Sequence, residues 1–157
     1  EKNREAGEVT GDEVSSVYEA LKTSGLNVDP ANTVIASTIY ANKPGDGSAR
    51  EQAASCQRVL GAGANLALEY ATKRYRSNWG MLPFLVKSAD VVENGDWVFV
   101  PGIRKVLLEG GEEATAYAVH DGTVTSFPVS LGHLTAPERQ ILADGCLINY
   151  YQHSAQK

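Results

Sequence analysis

The sequence has little cysteine, no excess of positive charge and no long apolar run, and each shortage removes a class of function. Two cysteines in 157 residues, Cys56 and Cys146, are too few and too far apart for a disulfide framework or a C-x-x-C metal site. That usage suits a reducing compartment, so a cytoplasmic location is expected. Lysine and arginine number 14 against 19 aspartates and glutamates, a net charge of −5. A surface that tracks phosphates needs a basic excess, so nucleic acid is not an expected partner. No apolar stretch approaches the ~20 residues of a membrane helix, and the first residues lack the layout of a signal peptide, so no membrane association is expected either. What is present, 43% hydrophobic and 21% charged residues, is ordinary for a globular domain and enough to build one core. The chain begins with Glu1 rather than methionine. The expectation is one domain over residues 1–157, a fragment of a larger multidomain chain.

Periodicity divides the chain into two styles. Thr10 with Glu13 fits a capping box, and Val14, Val17, Tyr18 and Leu21 fall on one helical face before Gly25. "NTVIASTIY" (32–40) is a β-branched apolar run between turn residues, which predicts a strand buried on both faces. A helix over 50–60 stops at Gly61 and Gly63. "ANLALEY" (64–70) reads as a second buried strand, "ATKRYRSNWG" (71–80) as a short helix and "MLPFLV" (81–86) as a third strand. This β-α-β-α-β rhythm predicts parallel strands joined by crossover helices. From residue 95 the pattern changes. "GDWVFV" (95–100) and "RKVLLE" (104–109) read as strands around Pro101-Gly102, and residues 114–120 and 123–129 as a hairpin over Asp121-Gly122. Thr135, Pro137 and Glu138 open a last helix with a capping box; Gly145 interrupts it before the final helical turns of "CLINYYQ" (146–152). The fold class is therefore α/β, a short and mainly parallel sheet with crossover helices plus an antiparallel β part.

Chemistry concentrates in "GDGSAR" (45–50), a glycine-rich loop placed between the first strand and its helix. In the simplest account Gly45 and Gly47 permit a turn, Ser48 caps the helix and Arg50 is solvated. An anion site at the helix N-terminus is a second account. The specific phosphate patterns fail, because no Gly-Lys-Ser/Thr follows and the third glycine of G-x-G-x-x-G is missing. The G-x-S-x-G spacing of a serine nucleophile is absent too, and His120, His133 and His153 bear no evident relation to the loop. A third account uses both side chains. Helix amides and a nearby guanidinium lower the cost of a Ser48 alkoxide, while Arg50 binds a carboxylate through two parallel hydrogen bonds. Such a loop would remove a proton beside a carboxylate.

"GDGSAREQAA" resembles the G-x-G-S-S-R-E-x-A-A signature of the aconitase and isopropylmalate dehydratase hydro-lyases, in their C-terminal swivelling domain. The order of strand, loop, helix, strand, Arg- and Asn-containing segment and "G-x-L-P" strand over 33–84 is similar to that domain. "LTAPERQILADGCLINYY" (134–151) is similar to the closing helix, so the resemblance spans roughly 30–152. It implies a swivelling β/β/α domain acting on a hydroxy di- or tricarboxylic acid. Ser48 would be the base and Arg50 the carboxylate clamp, with the loop amides at Gly47 and Ala49 stabilising the alkoxide. It implies a [4Fe-4S] cluster in partner domains or a separate large subunit and no cofactor or metal on this chain, so the chain alone would not turn over substrate. The chain departs from the family at Ala49, where a second serine is usual, at Lys43-Pro44, where Tyr-Gly is usual, and in "KRYRSNWG", which lacks the family's Ile-His. Two alternatives follow from the same residues: a carboxylate- or anion-binding module without chemistry, and a small subunit like that of isopropylmalate dehydratase. Outside the loop, Cys56 and Cys146 are read as core residues, His120 as a surface strand end, Trp79 and Trp97 as packing anchors and "TKRYR" (72–76) as a solvated helix face.

Overall fold

Capping and turn residues punctuate the chain where the apolar pattern requires it, and the result is a computed structural model with one six-stranded mixed sheet. Residues 11–45, 47–71 and 77–155 are described. Helix α1 (Gly11–Thr23) buries Val14 and Leu21, as the period predicts, while the capping threonine at position 10 lies outside the described residues. Strand β1 (Ser37–Ala41) leads to α2 (Arg50–Val59), β2 (Ala62–Ala67) and β3 (Leu82–Leu85). β1 pairs with β2 and β2 with β3, both in parallel, as the rhythm predicts for these strands. The helix expected over 71–80 falls largely outside the described residues.

The antiparallel half consists of β4 (Trp97–Phe99), helix α3 (Ile103–Leu108), β5 (Glu113–His120) and β6 (Thr123–Ser130). β5 and β6 form the expected hairpin, with Asp121 at φ 45° and Gly122 at φ 80°, the paired positive values that Asp-Gly tolerates. The strand order is β1-β2-β3-β6-β5-β4, and the two halves meet at Leu85 opposite Ser130. Leu66, Phe84 and Val86 from the parallel half pack with Ala116, Ala118, Phe127 and Val129 from the hairpin, so one apolar cluster crosses that seam.

Two sequence expectations need correction. Residues 104–108 are helical, not extended: Gly102 turns the chain with φ 66°, and Ile103, Val106 and Leu107 then follow helical spacing among good helix formers. β1 is not buried on both faces; it pairs only with β2, starts at Ser37 rather than 32, and leaves Ile39 exposed. An apolar run reads alike at the centre and at the edge of a sheet.

Helix α4 (Ala136–Asp144) begins with the predicted capping box between Thr135 and Glu138 and ends at Gly145 in the left-handed region, after which α5 (Leu147–Ala155) closes the chain. Arg139 is buried in α4 and donates from Nε to the Leu134 carbonyl (3.1 Å) and from Nη1 to the Gly111 carbonyl (2.6 Å). Arg139→Met keeps the apolar stem and removes both donors. Hydrogen bonds from charged groups contribute ~1.5–3 kcal/mol each, and part of that is recovered on relaxation, so we expect a loss of about 2–3 kcal/mol. At 2–4 °C per kcal/mol a thermal melt should fall by about 5–10 °C.

Candidate functional site

Parallel strands place their following loops at one sheet edge, where ligands of open α/β sheets bind. The loop 42–49 leaves the carboxyl end of β1 and is held by backbone bonds to the chain leaving β2: Glu69 N–H to the Asn42 carbonyl (3.0 Å) and Ala71 N–H to the Pro44 carbonyl (3.3 Å). Lys43 Nζ and Glu69 Oε1 add an exposed ion pair at 3.0 Å, which contributes little by itself. Gly45, at φ 93°, turns the chain toward α2 in a conformation that L side chains avoid.

The residues singled out from sequence, Gly47, Ser48, Ala49 and Arg50, lie together and exposed at the mouth of α2. The helix N-cap is Ala49, with no side-chain cap bond, so Ser48 is not the helix cap. Its hydroxyl has no hydrogen-bond partner among the described residues. The first helical bond is Ala53 N–H to the Ala49 carbonyl, which leaves the amides of Arg50, Glu51 and Gln52 without intrahelical acceptors. Arg50 folds back and donates from Nε to the Gly47 carbonyl at 3.0 Å. That bond uses the Nε–H alone and leaves the fork of the two Nη groups for another acceptor.

Ser48, Ala49, Arg50, Glu51 and Gln52 line a shallow depression of about 260 Å³. Glu51 would oppose an anion there, but its Oε1 accepts from Trp79 Nε1 at 2.6 Å. Trp79 in turn packs with Ala54, Ala62 and Met81 beneath α2, as expected of an anchor. Sequence reasoning missed this Trp79–Glu51 bond; the partners are 28 residues apart and neither belongs to a motif. Trp97 also packs in an apolar cluster, under α1. His133 faces Glu112 and His153 faces Asp144, so neither histidine lines the depression. His120 is exposed at the end of β5, as expected, but is bonded to Asp96 rather than merely solvated.

Cys56 is exposed, which corrects its assignment to the core: the buried position of α2 is Ala54, and Cys56 lies off that face. Cys146 is half-buried at the α4–α5 junction. Among the described residues no three His, Cys, Asp or Glu side chains are grouped to hold a metal ion. The residues 72–76 lie outside the described residues. No helix among the described residues is long and apolar enough to cross a membrane. No family model matches the chain, and no curated protein matches it.

Proposed function

We propose that this chain is the swivelling domain of an aconitase-like hydro-lyase, acting in the cytoplasm on a hydroxy di- or tricarboxylic acid. The observation that carries the proposal is the Arg50–Gly47 bond, which leaves the guanidinium fork for another acceptor while Ser48 stays uncapped beside the free amides of α2. A substrate carboxylate meets the two Nη groups of Arg50. The Ser48 alkoxide takes the proton from the carbon beside that carboxylate, and the C–H electron pair becomes the new double bond as hydroxide leaves the next carbon. Amides at Gly47, Ala49 and the first turn of α2 face the negative charge on Oγ before the proton arrives. Departure of the hydroxyl is left to partner domains or a large subunit, where the resemblance puts an iron–sulfur cluster.

A second reading keeps the carboxylate site without the chemistry. It is favoured by Ala49, which removes a hydroxyl from the signature, and by the absence among the described residues of a histidine positioned to take the Ser48 proton.

Both readings need Arg50. A lysine at this position keeps the charge but offers a point donor in place of a fork, and could not take the Gly47 bond and a carboxylate in the same geometry. Breaking a hydrogen-bonded charge pair costs ~2–5 kcal/mol when the pair is desolvated and less in this open site, with tenfold per ~1.4 kcal/mol. Arg50→Lys should therefore weaken tricarboxylate binding by about tenfold or more, while the melting temperature stays nearly constant. Calorimetric titration beside a thermal melt reads both. Equal affinity in the lysine variant would remove the clamp from both readings.

A further inference from the structure

A second concentration of titratable groups lies away from the loop, at the free end of the β4–β5 ladder. β4 is three residues long and pairs only with β5, Trp97 opposite Val119 and Phe99 opposite Tyr117. The next position outward brings Asp96 to His120, whose Nδ1 donates to Asp96 Oδ1 at 2.5 Å. The Asp96 carboxylate is only 5% exposed. Its other oxygen accepts the Glu93 amide at 2.8 Å, while the Asp96 amide donates to the Glu93 carbonyl at 3.2 Å, so Asp96 closes the 93–96 turn on itself. On the outer side His120 Nε2 lies 3.7 Å from Asp121 Oδ2 at the hairpin tip. Asp90, Glu93, Asp96 and Asp121 surround His120 along a cavity of about 340 Å³, with Val92, Ala118, Thr123 and Thr125, and among the described residues no lysine or arginine lines it.

We infer that His120 is the pin of a proton-operated clasp that holds the 88–96 segment and the edge strand β4 against the β5–β6 hairpin. When the imidazole is charged it bridges a buried carboxylate on one element and an exposed one on the other. When it is neutral, four carboxylates converge with no counter-charge among the described residues that line the cavity. Asp96 then carries a buried charge held only by neutral donors, which disfavours the closed arrangement. The β4 side chains Trp97 and Phe99 pack with Leu21, Val28 and Val119, so loosening of β4 reaches the contact of α1 with the sheet.

The neighbours also set the direction of the switch. The hydrogen bond to Asp96 holds the imidazolium form above the usual histidine range, the Asp96 charge adds to it, and Asp121 and Glu93 contribute less; desolvation opposes them. A group whose folded value is raised contributes its full stabilisation below the unfolded value and loses it as pH rises through the folded one. The clasp is therefore fully closed below about pH 6.5, the ordinary histidine value, and opens as pH rises through the raised value of the folded state.

The test is an NMR titration of the chain from pH 5 to 9, following the His120 ring, the Trp97 indole and the amides of 93–99. The expected result is one shared midpoint above 6.5. Asp96→Asn should lower the His120 midpoint and uncouple Trp97 from it, and His120→Gln should abolish the transition at Trp97. Should Asp96→Asn fail to fold, Asp121→Asn, at an exposed position, should lower the shared midpoint by a smaller amount. Trp97 and the β4 amides staying constant while His120 titrates would overturn the clasp. So would a His120 midpoint that neither asparagine variant changes.

Discussion

On the proposed hydro-lyase reading, replacing Ser48 by alanine should lower turnover of the assembled protein by ~10²–10⁴-fold, the usual cost of removing a general base. The same change should leave stability within about 0.5 kcal/mol, as expected for an exposed side chain without partners. These two numbers belong together because of where the helix begins. Were Ser48 the N-cap, alanine would cost about 1 kcal/mol and a rate effect could be ascribed to a frayed helix. The cap is Ala49, and the Ser48 hydroxyl has no partner among the described residues, so no cap bond is lost. Turnover should fall with kcat while KM for the acid stays close to that of the parent, because Arg50 and the helix amides remain in place. The measurement is steady-state kinetics on the protein joined with the domains or subunit to which the proposal assigns the rest of the site, beside a melt of the variant. An unchanged kcat would leave the carboxylate-binding module as the surviving reading, since that account needs Arg50 and does not need Ser48.

The parts of this architecture that were legible in the sequence are those fixed by short-range chemistry. Asp121-Gly122 could only be a tight turn, and Thr135 with Glu138 could only be a helix start, because each is decided within four residues. The loop 45–50 was legible for the same reason: a strand, glycines and a helix start in sequence put its residues together whatever the rest of the chain does. What was hidden depends on distant neighbours. β1 reads as a central strand, and only the strand order makes it an edge. Residues 104–109 contain enough apolar and branched side chains to suggest a strand. The deciding events are the left-handed turn at Gly102 and the bond from Arg104 Nη1 to the Ala143 carbonyl 39 residues on, at 2.6 Å. Within the site, the position of Arg50 is local and the support of Glu51 by Trp79 is not. His120 was placed correctly at a strand end, yet its buried partner Asp96 is 24 residues away and carries no sequence mark.

Gly80→Ala is expected to have the largest effect on stability, and to reach the site as well. Gly80 sits at φ 69°, where a side chain costs ~1–2 kcal/mol, and a Cβ built on it would lie 1.7 Å from the carbonyl oxygen of Gly145. That oxygen belongs to the C-cap of α4, so relief requires moving backbone rather than rotating a side chain. Overpacking of this kind adds ~1–3 kcal/mol or more, and the sum is about 4 kcal/mol. At 2–4 °C per kcal/mol the melting temperature should fall by about 8–16 °C. Gly25→Ala is the control: Gly25 is also at positive φ, 83°, but nothing lies within 4 Å of its Cβ position, so it should lose only the backbone share. The clash also has a path to the loop. Displacing Gly80 displaces Trp79, whose Nε1 holds the Glu51 carboxylate beside Arg50. A Glu51 released from that donor is free to turn its charge toward Arg50 in the depression proposed to receive a carboxylate, so tricarboxylate affinity should fall in Gly80→Ala even at temperatures where the variant is folded. Trp79→Phe keeps an aromatic ring in the packing while removing the donor, and should reproduce the affinity loss without the ~8–16 °C drop expected from that clash. A Gly80→Ala protein that melts with Gly25→Ala would show that the α4 cap yields freely, and the coupling between the Gly80–Gly145 contact and the loop would have to be abandoned.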